Sequence, residues 1–124
     1  MSYDLAVWEG PQPASDAEAA TTCETLYGRY VAGNDNTVPT ERIAAYVRAL
    51  LVKYPDLTEL DDESVDDSPW ADGPLIGNAT GPFFYFSFVT SAAHSEAWKF
   101  AVSTAREHGL IAFDPQADAL AAMT

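Results

Sequence analysis

The stretch Phe83-Phe84-Tyr85-Phe86-Ser87-Phe88-Val89-Thr90 decides the fold. Aromatic and β-branched residues dominate it, and side chains alternate across a strand. Phe84, Phe86 and Phe88 therefore share one face, with Phe83, Tyr85, Ser87 and Val89 on the other. Apolar bulk on both faces predicts a central strand. Just before it, Gly81-Pro82 supplies a turn and Leu75 to Ala79 a short strand, so the two read as a hairpin. Just after it, Ser91 is placed to cap a helix whose apolar stripe is Trp98, Ala101, Val102 and Ala105, and Gly109 sits where a glycine ends such a helix. Leu110 to Phe113 then forms a last strand, and the alanine-rich tail from Asp114 to Thr124 is expected to add a helical turn or fray.

Upstream, Tyr3 to Trp8 alternate, with Tyr3, Leu5 and Val7 on one face and Asp4, Ala6 and Trp8 on the other, which predicts the first strand. Ser15 followed three residues later by Glu18 has capping-box spacing, and Ala19, Cys23, Leu26 and Tyr30 continue at helical spacing. Gly33 to Asn36 break this helix. Thr40 caps the next, in which Ile43, Val47, Leu50 and Tyr54 share a face until Pro55 stops it. The order β-α-α-β-β-α-β predicts a single α+β domain over residues 1–124, a ferredoxin-like split βαβ sheet with an extra helix in its first crossover and its helices on one face. A right-handed crossover would bring the last strand beside or near the first.

The length of 124 residues, 48% of them apolar, suits one core. One cysteine excludes an intramolecular disulfide, which fits a reducing compartment. No leader-like opening and no apolar run long enough for a bilayer is read, so a cytoplasmic protein is expected, without membrane partners. Six Lys and Arg against 19 Asp and Glu give a formal charge of -13, and without a basic patch to displace counterions a nucleic-acid partner is not expected. The charge is uneven. No Lys or Arg falls between Lys53 and Lys99, while Asp56, Glu59, Asp61, Asp62, Glu63, Asp66, Asp67 and Asp72 crowd the connection from Asp56 to Pro74. Such a loop either steers a cationic partner or keeps the chain solvated.

Chemistry-bearing patterns are sparse. His94 and His108 open and close one helix, about four turns apart, too far to share a metal ion. The negative end of the helix dipole accounts for the place of His108. Cys23 points inward by register and lacks a cationic neighbour in sequence that would favour thiolate. Nucleophile-elbow, phosphate-loop, His-Glu-x-x-His and Cys-x-x-Cys patterns are missing, and the acidic loop lacks the order of donors and glycine that an EF-hand requires. Asn78-Ala79-Thr80 reads as turn chemistry rather than a glycosylation acceptor. No catalytic residue, metal or cofactor is expected.

What remains is a binding set: Asp61, Asp62, Glu63, Asp66, Asp67 and Asp72, with Trp70 after Ser68-Pro69. An aromatic ringed by charge serves protein interfaces as an anchor, and equally well pins a long loop to its domain. Tyr3-Asp4-Leu5-Ala6-Val7-Trp8, Tyr54-Pro55-Asp56-Leu57 and Ser68-Pro69-Trp70 together resemble a group of small actinobacterial proteins. Some proteins of this build are similar to immunity proteins of bacterial polymorphic-toxin systems. The resemblance spans most of the chain, its motifs mark strand and helix ends, and it implies kinship rather than activity. Joined to the loop's charge, it motivates a basic protein partner, such as a toxin nuclease domain, held by the carboxylates of Asp56 to Asp72 with Trp70 as anchor. Two rival readings stand beside it. A small-molecule binder or enzyme would have a pocket between helices and sheet near Trp8 and Tyr85. A homodimer would need a bare sheet face, for which Phe83, Tyr85 and Val89 are the candidates.

Overall fold

The computed structural model describes residues 2–33, 37–64, 68–71, 73–89 and 96–121. Over these described residues the chain is an α+β protein with three helices and a five-stranded antiparallel sheet. In chain order the elements are β1 (Ser2–Trp8), α1 (Asp16–Tyr30), α2 (Glu41–Lys53), β2 (Ala79–Thr80), β3 (Phe83–Val89), α3 (Glu96–Glu107), β4 (Ile111–Asp114) and β5 (Ala119–Leu120), with 3₁₀ turns at Leu57–Glu59 and Leu75–Asn78. The sheet order is β2-β3-β1-β4-β5. β1 lies against β3 along its whole length, Tyr3 opposite Phe88, Leu5 opposite Phe86 and Val7 opposite Phe84, and its other edge takes β4. β4 thus lies beside β1, the place expected for the strand that follows the third helix.

Local signals act where their spacing puts them. The Ser15 hydroxyl accepts from the Glu18 N–H and the Thr40 hydroxyl from the Ile43 N–H, each filling one of the orphan donors of a first helical turn. At the end of α3, the Leu110 N–H reaches the Ala105 carbonyl and the Gly109 N–H the Arg106 carbonyl, a Schellman closure. Gly109 has φ +70 there, a conformation in which a Cβ would be strained.

Two apolar layers sandwich the sheet. On one face Leu5, Val7, Phe84, Phe86 and Phe88 pack with Ile43, Tyr46, Val47 and Leu50 of α2 and with Ala97, Ala101, Val102 and Ala105 of α3. On the other, Ala6, Trp8, Phe83, Ile111 and Phe113 pack with Ala19, Cys23 and Tyr30 of α1. The helices therefore cover both faces, not one as expected. The reason lies in the strands: β1 and β3 are apolar on both sides, and rings as large as Trp8, Phe83 and Phe113 cannot be left in water without a cost of about 1.5–3 kcal/mol each. Of the three residues on which a homodimer was read, Phe83 is buried beneath α1, at 1% exposed, while Tyr85 and Val89 are half-buried.

Two further expectations change. Leu75–Asn78 is a 3₁₀ turn rather than a strand, because the Leu75 N–H is taken by the Asp56 carboxylate and the Gly77 N–H by the Pro74 carbonyl, leaving only Ala79–Thr80 for the ladder. The tail forms β5 against β4 instead of a helical turn, held by the Leu120 N–H donating to Asp16 Oδ1 at 3.1 Å. The expected cap at Ser91 lies outside the described residues, as does His94. No helix among the described residues is long and apolar enough to cross a membrane.

Candidate functional site

Two regions carry polar chemistry at the surface: the acidic connection between α2 and β2, and a groove between α1 and the sheet. The acidic connection is fastened at both ends. At its start the Asp56 carboxylate is buried, with Oδ1 accepting from the Thr58 N–H at 3.3 Å and Oδ2 from the Leu75 N–H at 2.9 Å, so this acid ties the two ends of the loop together. Gly73 runs so close that a Cβ there would stand 2.6 Å from Asp56 Oδ1. At its end Pro69, Trp70 and Ala71 lie along the outer edge of β3: the Val89 N–H donates to the Pro69 carbonyl at 2.8 Å and the Ala71 N–H to the Ser87 carbonyl at 2.9 Å.

Trp70 is 1% exposed. Its ring packs on Phe86 and Phe88 and meets Tyr54 edge-on, and its indole N–H donates to the Tyr54 carbonyl at 2.9 Å, at the C-cap of α2 where carbonyls lack helical partners. The reading of Trp70 as a surface anchor is therefore corrected: the ring pins the loop to the sheet and caps a helix, and offers a partner no surface. Its neighbours Tyr54, Pro55, Leu60, Ser64, Ser68 and Pro69 line a slot of about 230 Å³.

Between these fastenings Asp61, Asp62 and Glu63 are exposed. Asp61 Oδ1 accepts from the Ser64 N–H at 2.9 Å, and hydrogen bonding from Ser64, side chain first and then backbone, holds its carboxyl below the usual range. The Asp61 side chain thus caps a turn that carries Asp62 and Glu63, and only its own carboxylate is held by it. Asp66, Asp67 and Asp72 lie outside the described residues. The nearest cation in sequence, Lys53, sets its ammonium over the rings of Phe100 and Tyr54. The ion pairs Arg42–Glu9 and Arg48–Glu41 draw their acidic partners from outside the loop.

The second region begins where α1 stops covering the sheet. Asp4 of β1 accepts from the Tyr85 hydroxyl at 3.1 Å and from the Ser87 hydroxyl at 2.5 Å, so two side chains of β3 converge on one carboxylate of its neighbour. The Gln116 amide pairs with the backbone of Asp4 as a peptide would, accepting from its N–H at 2.6 Å and donating to its carbonyl at 2.8 Å. Asp114 fixes that turn by accepting from the Gln116 N–H and side-chain amide and from the Tyr3 hydroxyl. Beside this network a groove of about 550 Å³ is lined by Cys23, Glu24 and Tyr27 of α1, Tyr85, Phe113 and Asp118, among others. Tyr27 and Tyr85 meet edge to face at 5.0 Å. Burial, and next the Asp118 charge, pushes the Cys23 thiol up to about 11, so a thiolate is not formed near neutral pH. Burial first, and then Asp4, raises the Tyr85 hydroxyl.

Asp4, Tyr85, Ser87 and Gln116 were not singled out as one cluster from the sequence. The signal available was the polar end of the otherwise apolar odd-numbered face of β3, where Ser87 faces Asp4 across the ladder. Of the remaining candidates, His108 directs Nδ1 to the Thr104 carbonyl at 2.9 Å, one turn back on its own helix. Among the described residues no group of three or more His, Cys, Asp or Glu is arranged to hold a metal ion. No family model matches the chain, and no curated protein or solved structure does either.

Proposed function

We propose that this protein is a non-enzymatic binding protein that takes a basic protein partner on its acidic loop, as an immunity-type inhibitor does. The observation that carries the reading is the state of Asp61, Asp62 and Glu63: exposed, unneutralised by any ion pair among the described residues, and mounted on a loop fastened by Asp56 and Trp70. Carboxylates gathered on one loop attract a cationic surface at long range, so they raise the association rate without any chemistry of their own. The slot beside them would then receive the apolar contact earlier assigned to Trp70, with a partner side chain entering between Tyr54, Leu60 and Pro69. Asp66, Asp67 and Asp72 extend the same charge along the sequence. A cytoplasmic setting belongs to this proposal. So does the reading of β2-β3-β1-β4 as a split βαβ frame, with β5 and the α1 layer added to it.

The test is kinetic. A partner captured from a lysate of the protein's own source at low salt is identified, and its association is measured across ionic strength. Replacing Asp61, Asp62 and Glu63 by Asn, Asn and Gln should slow association severalfold and flatten its salt dependence while leaving the melting temperature close to wild type. Unchanged association kinetics would remove the loop from the site.

A further inference from the structure

We propose that the groove between α1 and the sheet is a second, separate site, which binds a small organic cation with an apolar body. Its walls supply both halves of such a ligand's recognition. Tyr27 and Tyr85 present ring surface, and Phe113 an apolar floor, which suit a hydrocarbon body and a cation set against an aromatic face. Glu24 and Asp118 supply the counter-charge, and no Lys or Arg lines the groove. The adjacent helix cation, Arg29, is laid over the Tyr30 ring at 4.8 Å instead. The volume of about 550 Å³ falls within the span of small-molecule sites.

Two backbone choices point the same way. Gly28 lies in the last turn of α1 and lines the groove, and a Cβ built on it meets nothing within 4 Å. Glycine is a poor helix residue, and here no close approach demands it; what its missing side chain provides is room inside the groove. Asp118 holds φ +54, a left-handed conformation that an L-residue adopts at a cost and Asp or Asn tolerates best. That conformation keeps a carboxylate at the rim. The charge reaches the floor, since Asp118 contributes to the rise of the Cys23 thiol.

The probes are phenethylamine, phenethyl alcohol and phenylpropionate, which share a body and differ in charge. Each is titrated into the whole protein and followed by backbone amide shifts. The site predicts that the amine binds about tenfold tighter than the alcohol. It also predicts that the anion is excluded, and that shifts centre on Cys23, Tyr27, Tyr85 and Asp118. Gly28→Leu, which keeps a good helix former in α1, should abolish binding by filling the groove, and Asp118→Asn, which keeps the backbone preference, should weaken it severalfold. Gly28→Ala serves as the folded control. Equal affinity for amine and alcohol, no binding of the amine, or shifts confined to Asp61–Glu63 would each overturn the proposal. Because the partner assay reads Asp61, Asp62 and Glu63 and this one reads α1, either site can fail without the other.

Discussion

The two faces of the sheet are built from the same strands yet differ in how completely they are closed. Toward α2 and α3, β3 presents Phe84, Phe86 and Phe88, each at most 1% exposed, and two helices plus the indole of Trp70 complete the layer. Toward α1, the same strand runs from Phe83 through Tyr85 to Ser87 and Val89, and cover falls off along it: Phe83 is buried while the rest are only half-buried. A single helix of 15 residues covers the Phe83 end of this face and leaves Tyr85, Ser87 and Val89 less covered. The gradient along one face of one strand thus sets where a groove opens, and the uniform phenylalanines of the other face leave no such place. A closed face leaves no room beside its strand; a face closed at one end leaves a groove.

The comparison breaks most readily at Trp70. Trp70→Ala should cost about 3–5 kcal/mol in urea unfolding, since it empties a ring-sized space against Phe86 and Phe88 and strands the Tyr54 carbonyl. Trp70→Phe, which keeps most of the packing and loses only the N–H, should fall well short of that. If Trp70→Ala cost less than 1 kcal/mol, the loop would not be fastened as described, and the presentation of Asp61, Asp62 and Glu63 would go with it.

On the α1 face the sensitive variable is pH. The Cys23 thiol is raised from an ordinary value near 9 to about 11. The folded state therefore holds the proton more tightly than the unfolded chain. This stability is fully present below pH 9 and is lost as pH rises through 11. Tyr3, Tyr46 and Tyr85 are also raised and begin to titrate higher in the same range, so the clean reading is a difference. The advantage of wild type over Cys23→Ala should shrink between pH 8 and pH 11. A constant advantage would mean that the thiol is open to water.

A matched pair of tyrosines sharpens the contrast further. Tyr46 is wholly buried and donates to the Ala101 carbonyl at 2.8 Å, linking α2 to α3, whereas Tyr27 is 39% exposed at the groove. Tyr46→Phe should cost about 1 kcal/mol and Tyr27→Phe within about 0.5 kcal/mol of nothing, read as melting temperature. Equal losses would indicate that the groove is closed in solution.

Elements with a local cause were legible in the sequence. Ser15 and Thr40 announce their helices, Gly109 the end of α3, and the alternation at Phe83–Val89 the central strand, because caps, left-handed glycines and pleat period act over a few residues. Which face each helix takes was not legible. It depends on how Trp8, Phe83 and Phe113, distant in sequence, assemble into one apolar patch that something must cover. Leu75 was misread because its amide is claimed by Asp56, 19 residues away, a competition no local pattern reveals. Trp70 carried two readings, and composition around it could not choose between them; its indole finds the Tyr54 carbonyl only once α2 and β3 are in place. For the site, the carboxylates of the loop were visible as charge. The groove needed Glu24, Gly28, Tyr85 and Asp118 brought together from three parts of the chain.

The smallest expected effect bears most directly on whether the α1 face is open by design or by default. A glycine inside a helix costs about 0.8–1 kcal/mol relative to alanine, through the backbone freedom it gives up on folding. Where a Cβ would clash, that cost is the lesser one; at Gly28 it would meet nothing within 4 Å. Gly28→Ala should therefore raise stability by about 0.5–1 kcal/mol, visible as a small increase in urea midpoint with an unchanged slope. A gain of that size would show that this position gives up stability that the fold itself does not require, the pattern that a groove kept wide for a ligand produces. A loss would mean that α1 packs closer to the sheet than its 4 Å clearance allows, and the groove, with the cation site argued for it, would be filled by the protein's own side chains.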